Sequence, residues 1–131
     1  MLIGKRNSDA HAGIEYSLGL QSSVPDSVGK LYWNADNGST VTSGSNTTAL
    51  PLSAWSHVTV VWGSGTYTFY LNATPDGTGA TVTPQVEFNT FRIGSRTGGA
   101  GTFITGRLDD CRAYNRALTA SEVQQLYNLG R

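Results

Sequence analysis

Between residues 55 and 72 the chain alternates apolar and polar side chains twice, around a glycine-bracketed turn. Val58, Val60 and Trp62 fall on one side of the first run, His57, Thr59 and Val61 on the other. After Gly63-Ser64-Gly65, Tyr67, Phe69 and Leu71 share one side, and Thr66, Thr68 and Tyr70 the other. A period of two is the spacing of a β-strand, and two such runs joined by a short Gly-rich turn predict a β-hairpin. A hairpin with one apolar face needs a second layer to cover that face.

The rest of the chain supplies candidates for that layer. Residues 1–4 are a short apolar piece followed by a polar loop. Residues 13–20 read as a strand with Ile14, Tyr16, Leu18 and Leu20 on one side. Residues 28–33 read as another, with Leu31 and Trp33 opposed to Lys30 and Tyr32. Residues 34–38 end in Asn-Gly, which tolerates positive φ and suits a hairpin turn. Residues 39–50 fit an edge strand or a loop, and residues 51–54 turn the chain. Residues 72–79, Asn-Ala-Thr-Pro-Asp-Gly-Thr-Gly, read as a loop. Residues 80–86 form a strand interrupted by Pro84, residues 88–94 a strand with Phe91 and Ile93 in phase, and residues 95–101 a Gly-rich loop.

Residues 106–115 read as a last strand, with Cys111 and Ala113 on the core face and a bulge near Asp109 that restores the phase of Leu108. A helix follows. Thr119 with Glu122 three residues on is a capping box, Leu118 and Val123 can form a hydrophobic staple, and Gly130 suits the stop. Val123, Leu126 and Tyr127 give a single apolar stripe, so about two turns of helix lie against something larger.

Composition agrees and excludes several classes. The chain has 131 residues, enough for one domain spanning 1–131 with a real core. Three tryptophans, six tyrosines and four phenylalanines can anchor it, and 16 glycines suit a turn-rich all-β chain. Net charge is zero and only 14% of residues are charged, which argues against electrostatic capture of nucleic acid. No apolar run is long enough to span a bilayer as a helix, and no membrane partner is expected. The opening residues lack a secretory h-region and cleavage site. The single cysteine, Cys111, cannot form an internal disulfide and is expected to be a buried apolar thiol.

Gly106-Arg-Leu-Asp109 followed by Arg112-Ala-Tyr-Asn-Arg-Ala-Leu-Thr-Ala-Ser-Glu122 resembles the C-terminal motif of the laminin-G-like/concanavalin-A-like superfamily. Trp55-Ser-His-Val-Thr-Val, Thr68-Phe-Tyr-Leu-Asn72 and Phe91-Arg-Ile-Gly-Ser95 stand upstream in the order that the family shows, and Tyr16-Ser-Leu-Gly-Leu20 extends the match. The resemblance implies an all-β antiparallel jelly-roll sandwich of two sheets with one short C-terminal helix. It also suggests an extracellular or cell-surface setting. Relatives carry strands before the segment that residues 1–4 resemble, including one beside the C-terminal strand. Without them a sandwich keeps bare edges and exposed apolar side chains. The chain is therefore expected to be a compact version or an excerpt, and two copies are expected to complete each other as a homodimer through the open sheet edges.

A hydrolase on this fold would need paired carboxylates. Glu15, Glu87 and Glu122 have no acid two residues away, and Asp109 and Asp110 point to opposite faces of a regular strand, so no catalytic residue is assigned. The family resemblance implies a structural Ca2+ in some members, which makes Asp109 the metal candidate beside a role in holding a turn. The leading expectation is glycan recognition, with protein interaction or assembly as the alternative. Strand parity puts Tyr32, Tyr70, Arg92, Arg112 and Tyr114, with Lys30, Thr59 and Thr68, on the face opposite the core as a candidate ligand-binding surface. Loops at residues 6–11 and 95–101 are further contact candidates. Asn37, Asn46 and Asn72 each begin a triplet of the N-glycosylation pattern, a match that chance explains in a chain this rich in Ser and Thr.

Overall fold

A computed structural model describes residues 1–6, 14–22, 28–85, 90–95 and 103–130. The elements run β1 (Ile3–Arg6), β2 (Ile14–Leu20), β3 (Leu31–Asp36), β4 (Val41–Ser45), β5 (Val58–Gly63), β6 (Thr66–Leu71), β7 (Thr74–Ala80), β8 (Phe91–Ile93) and α1 (Ala120–Leu129). Two antiparallel sheets result: sheet A, ordered β4-β3-β2-β1-β8, and sheet B, ordered β5-β6-β7. This is the all-β sandwich with one C-terminal helix that alternation predicted.

The central hairpin forms in the predicted register, from Val58 opposite Leu71 to Gly63 opposite Thr66. Ser64 and Gly65, at φ 50° and 77°, make a two-residue turn of the left-handed kind that matches strand twist. Asn72 and Ala73, at φ 51° and 65°, make a second such turn into β7. Its residues had been read as a loop. The turn-rich composition hides the strand: Pro75 is tolerated because β7 lies at a sheet edge, and a bulge between Thr68 and Tyr70 breaks the alternation.

Sheet B is covered on both faces. Trp62 meets Trp33 and Tyr16 of sheet A at centroid distances of 4.7 and 5.4 Å. Leu31, Trp33 and Phe69 are fully buried in this main core. On the other face Tyr70 and Ala73 pack with Val123 of α1, ringed by Val61, Leu118 and Tyr127. The helix is therefore a third layer.

Three expectations fail. Residues 106–115 form no strand; they are irregular and exposed, with Asp110 at φ 49°, and Cys111 is exposed rather than buried. A strand needs a partner ladder, and among the described residues this stretch pairs with no strand. The strand read over residues 80–86 is absent at 81–85, beyond the end of β7. The turn placed at residues 34–38 begins later, because β3 continues through Asp36, which pairs with Val41, and residues 37–40 make the turn. At the end of α1, Gly130 has φ −90°, so the helix stops without a left-handed residue.

The capping box is complete. The Glu122 N–H donates to Thr119 Oγ1 at 3.2 Å, and the Thr119 N–H donates to Glu122 Oε2 at 2.8 Å. Arg116 adds a two-pronged contact to the same carboxylate, at 3.0 and 2.6 Å. Arg116 first, then Thr119, holds the Glu122 carboxyl at about 2 rather than 4.5. Its folded pKa is depressed, so its contribution is present above pH 4.5 and lost as pH falls toward 2. Thr119→Ala is expected to cost about 1 kcal/mol, a few degrees in Tm at neutral pH. The Tm gap between the native chain and Glu122→Gln should close as melts move from pH 5 to pH 2. A gap that stayed constant over that range would disprove the linkage.

Candidate functional site

The two sheets are of unequal width, and this decides where a ligand can enter. Along one side β4 and β7 close the sandwich. Trp33 Nε1 donates to Thr81 Oγ1 at 3.0 Å, Thr81 and Thr42 hydroxyls are 3.1 Å apart, and Asn46 Nδ2 donates to Asp76 Oδ2 at 2.6 Å. Counting inward from there, β5 lies over β2 and β3. Among the described residues, no strand of sheet B makes more than a weak contact with β1 or β8.

Burial records the gap. Trp33, Leu18, Ile3 and Ile93 sit opposite one another across β3, β2, β1 and β8, so they share the inner face. Their exposure climbs along that row, from 1% at Trp33 and 6% at Leu18 to 47% at Ile93. The next row, Ala35, Tyr16, Lys5 and Phe91, climbs likewise to 42%. Sequence phase was right for Phe91 and Ile93, but the core does not reach them. A cleft of about 1160 Å3 occupies the space, between β5 on one side and residues 107–118 on the other, with Leu2 and Leu18 at its floor and Tyr127 of α1 at its roof.

Among the described residues no strand pairs with the edge of β5 that faces this cleft. Asn72 N–H donates to His57 O at 2.8 Å, so His57 and the residues alternating with it, Thr59, Val61 and Gly63, direct their backbone groups to β6. Val58, Val60 and Trp62 direct theirs away from β6, and among the described residues β5 pairs with no other strand. Across the cleft, among the described residues, 106–118 make no backbone–backbone hydrogen bond either. This stretch runs in the same direction as β5. His57 at the start of β5 lies in the field of Asp110 and Arg112, and Gly63 at its end lies against Ala117, whose Cβ would be 3.6 Å from a Cβ placed there.

His57 marks the cleft's closed end. Its ring packs on Tyr127 at 5.8 Å and its Nδ1 is buried without a hydrogen-bond partner. Burial, the largest influence, pushes the imidazole below its ordinary value. Folding thus opposes protonation, and stability falls as pH drops below 6.5.

The five predicted ligand residues do not assemble into one surface. Tyr32 lies on the outer face of sheet A, its ring pressed over Gly19. Arg92 is on that same outer face, three strands away on β8, with Nε buried and without a hydrogen-bond partner. Tyr70 points outward from the core as predicted, but α1 covers it. Arg112 and Tyr114 lie on the irregular 106–118 stretch, where Arg112 Nε donates to Asp110 Oδ1 at 2.8 Å. Parity along a strand cannot tell which sheet a strand joins, nor that a helix lies over the outer face. Of the loop candidates, residues 7–11 and 96–101 lie outside the described residues.

Asp109 is exposed and its Oδ1 accepts the Asp110 N–H at 2.8 Å, a local turn contact. Among the described residues no three His, Cys, Asp or Glu side chains come together as a metal site. Asn46, one of the glycosylation triplets, is buried with its amide engaged.

Sequence reasoning located the hairpin but not its free edge, because periodicity reports faces and is silent on lateral pairing. Comparison with solved structures agrees on the fold. A 2.1 Å crystal structure of an S-layer domain-containing protein from Clostridium thermocellum (residues 221–444) superposes with a TM-score of 0.54 at 21% identity. The match covers 92% of this chain and 65% of that one, so this chain spans about two thirds of its length. No curated protein sequence matches. Residues 2–124 match a family profile, laminin-G type, of the concanavalin A-like lectin/glucanases superfamily, and the chain belongs to that family.

Proposed function

We propose that the domain is a non-catalytic binding module that takes a polypeptide ligand at the open side of its sandwich. The observation that carries this reading is the rise in exposure across the inner face of sheet A, from Trp33 at 1% to Ile93 at 47%. An inner face left half-covered presents apolar area, and burying apolar area drives association at roughly 25 cal/mol per Å2. The cleft's lining sets the aliphatic Leu2, Ile3 and Leu18 beside Trp55, Trp62 and Tyr127, a large apolar and aromatic area. A cell-surface setting accompanies this reading, as family membership suggests.

Carbohydrate recognition keeps one specific observation in its favour. At the far end of the cleft a pocket of about 520 Å3 brings Trp62, Tyr16 and Phe91 beside Lys5, Glu15 and Gln85. An aromatic wall beside polar groups is what a sugar ring needs.

Tryptophan fluorescence titrations separate the two. Trp62 lines both spaces. Apolar peptides are expected to bind saturably, and Leu108→Asp, at an exposed residue of the cleft lining, to abolish that binding while leaving the fold intact by circular dichroism. Saturable binding of an oligosaccharide panel, with no response to any peptide, would replace this reading with the carbohydrate one. Tyr70→Ala is not a usable probe of binding, since Tyr70 belongs to the helix-side core.

A further inference from the structure

We infer that α1 is a cover released by mild acid, with His57 as the trigger: a second proton on its ring breaks the seat of Tyr127 and frees the helix from sheet B. The inference goes beyond the ligand reading and does not depend on it. What holds α1 down is small. The helix buries one side chain completely, Val123, which packs against Tyr70 and Ala73 with Val61 and Leu118 beside them. One turn further on, Tyr127 is the second point of attachment, where its ring meets that of His57 at 5.8 Å. Past Tyr127 the helix is exposed. A ten-residue helix does not persist in water without such packing, so losing the Tyr127 seat frays and releases it.

The backbone of His57 is fixed. Its N–H donates to Asn72 Oδ1 at 2.9 Å and its C=O accepts the Asn72 N–H at 2.8 Å, so relief at the ring comes from separating it from Tyr127. The neutral ring fits its site, because one nitrogen carries the hydrogen and the other, the buried Nδ1, can stay a bare lone pair. The imidazolium carries a hydrogen on both. The one on Nδ1 points where, among the described residues, nothing accepts it, and a buried unpaired donor on a charged ring is unfavourable. The charged groups around the ring do not remove that penalty. Asp110 and Arg112, both on the 106–118 stretch, act on it with opposite sign and are bonded to each other. α1 presents the Tyr127 ring, and the β6–β7 turn the Asn72 amide. Burial is the largest influence and agrees with this geometry.

The closed form binds the second proton poorly and the released form binds it at the ordinary value near 6.5, so release is favoured as pH falls below 6.5. Between pH 7.5 and pH 5 the ratio of released to closed form rises by at most about thirtyfold, the limit that a freed imidazole sets. The helix cap is not the sensor. Glu122 is held at about 2, so the contacts among Arg116, Thr119 and Glu122 persist across this range. Release uncovers Val61, Tyr70 and Ala73 and leaves the ladder of β5, β6 and β7 in place.

The test is amide hydrogen exchange of the whole chain at pH 7.5 and pH 5, corrected for intrinsic rates, with and without low urea. Protection at Val123, Leu126 and Tyr127 is expected to fall about tenfold on acidification, with exchange insensitive to urea, the mark of a local opening. Thr59 and Val61 of sheet B should be better protected at both pH values and should depend steeply on urea. His57→Phe keeps a ring against Tyr127 and removes the titration; His57→Gln removes both. In either variant that folds, the acid effect on α1 should fall below twofold. His11→Gln, at the chain's other histidine, should leave that effect intact. One shared protection factor and urea dependence for α1 and sheet B would overturn the inference, because the helix would then leave only with the whole fold. So would an acid effect that survives loss of His57 or vanishes with loss of His11, or a native His57 ring that titrates at or above 6.5 by NMR.

Discussion

Trp33→Ala is expected to cost roughly 3–5 kcal/mol, the range for truncating a buried aromatic side chain. Trp33 is 1% exposed and belongs to three interactions at once. It packs on Trp62 at 4.7 Å and on Tyr16 at 6.1 Å, which joins β5 to the middle of sheet A. Its indole N–H donates to Thr81 Oγ1, whose hydroxyl also lies 3.1 Å from that of Thr42. Alanine would remove the ring and leave a cavity between the sheets. Domains of this size are stable by only about 5–15 kcal/mol, so the variant should unfold at far lower urea concentration. Trp33→Phe keeps most of the packing and loses the hydrogen bond, and should cost about 1–2 kcal/mol. The cleft makes the contrast informative. If the open side lets water reach the main core, both variants would be mild and nearly equal, and the description of Trp33 as the centre of that core would fail.

How far the chain can be read from its residues follows from what each signal reports. Alternation placed Val58, Val60, Trp62, Tyr67 and Phe69 on the inner face, because a strand's side chains must alternate whatever the strand pairs with. The capping box fixed the start of α1 because its hydrogen bonds are local, within three residues. Lateral order is not local. Nothing between residues 106 and 115 reveals whether a partner strand is present, so a β-like sequence stays unpaired and Cys111 is exposed. Tyr70 shows the same limit for the site: its parity was correct, yet the residue that covers it, Val123, is more than fifty positions away. β7 was hidden by composition, since Pro75, Asp76 and Gly77 are turn residues that an edge strand accepts.

Asp76 also fixes the closed side, and the second large effect is expected there. Asn46 is buried, and each of its polar groups is used. Its Oδ1 accepts the Leu31 N–H at 2.7 Å, and its Nδ2 donates to Thr48 O at 2.8 Å and to Asp76 Oδ2 at 2.6 Å. Thr48 Oγ1 donates to the other oxygen of the same carboxylate at 2.9 Å. The side chain thus ties β3 to β7, closing the sandwich opposite the cleft. Asn46→Ala would orphan the buried Leu31 N–H and strip Asp76 of a charge-assisted bond, for a cost of roughly 2–4 kcal/mol. Asn46→Asp keeps an acceptor for Leu31 but sets a second carboxylate against Asp76. It should be at least as damaging at pH 7, and less so at a pH low enough to protonate one of the two. Urea titrations at pH 7 and pH 4 give the decisive comparison. Were Asn46→Asp as stable as the native chain at pH 7, the amide could not be bonded to Asp76 as described. The closed side would then depend on Thr42, Thr81 and Trp33 alone.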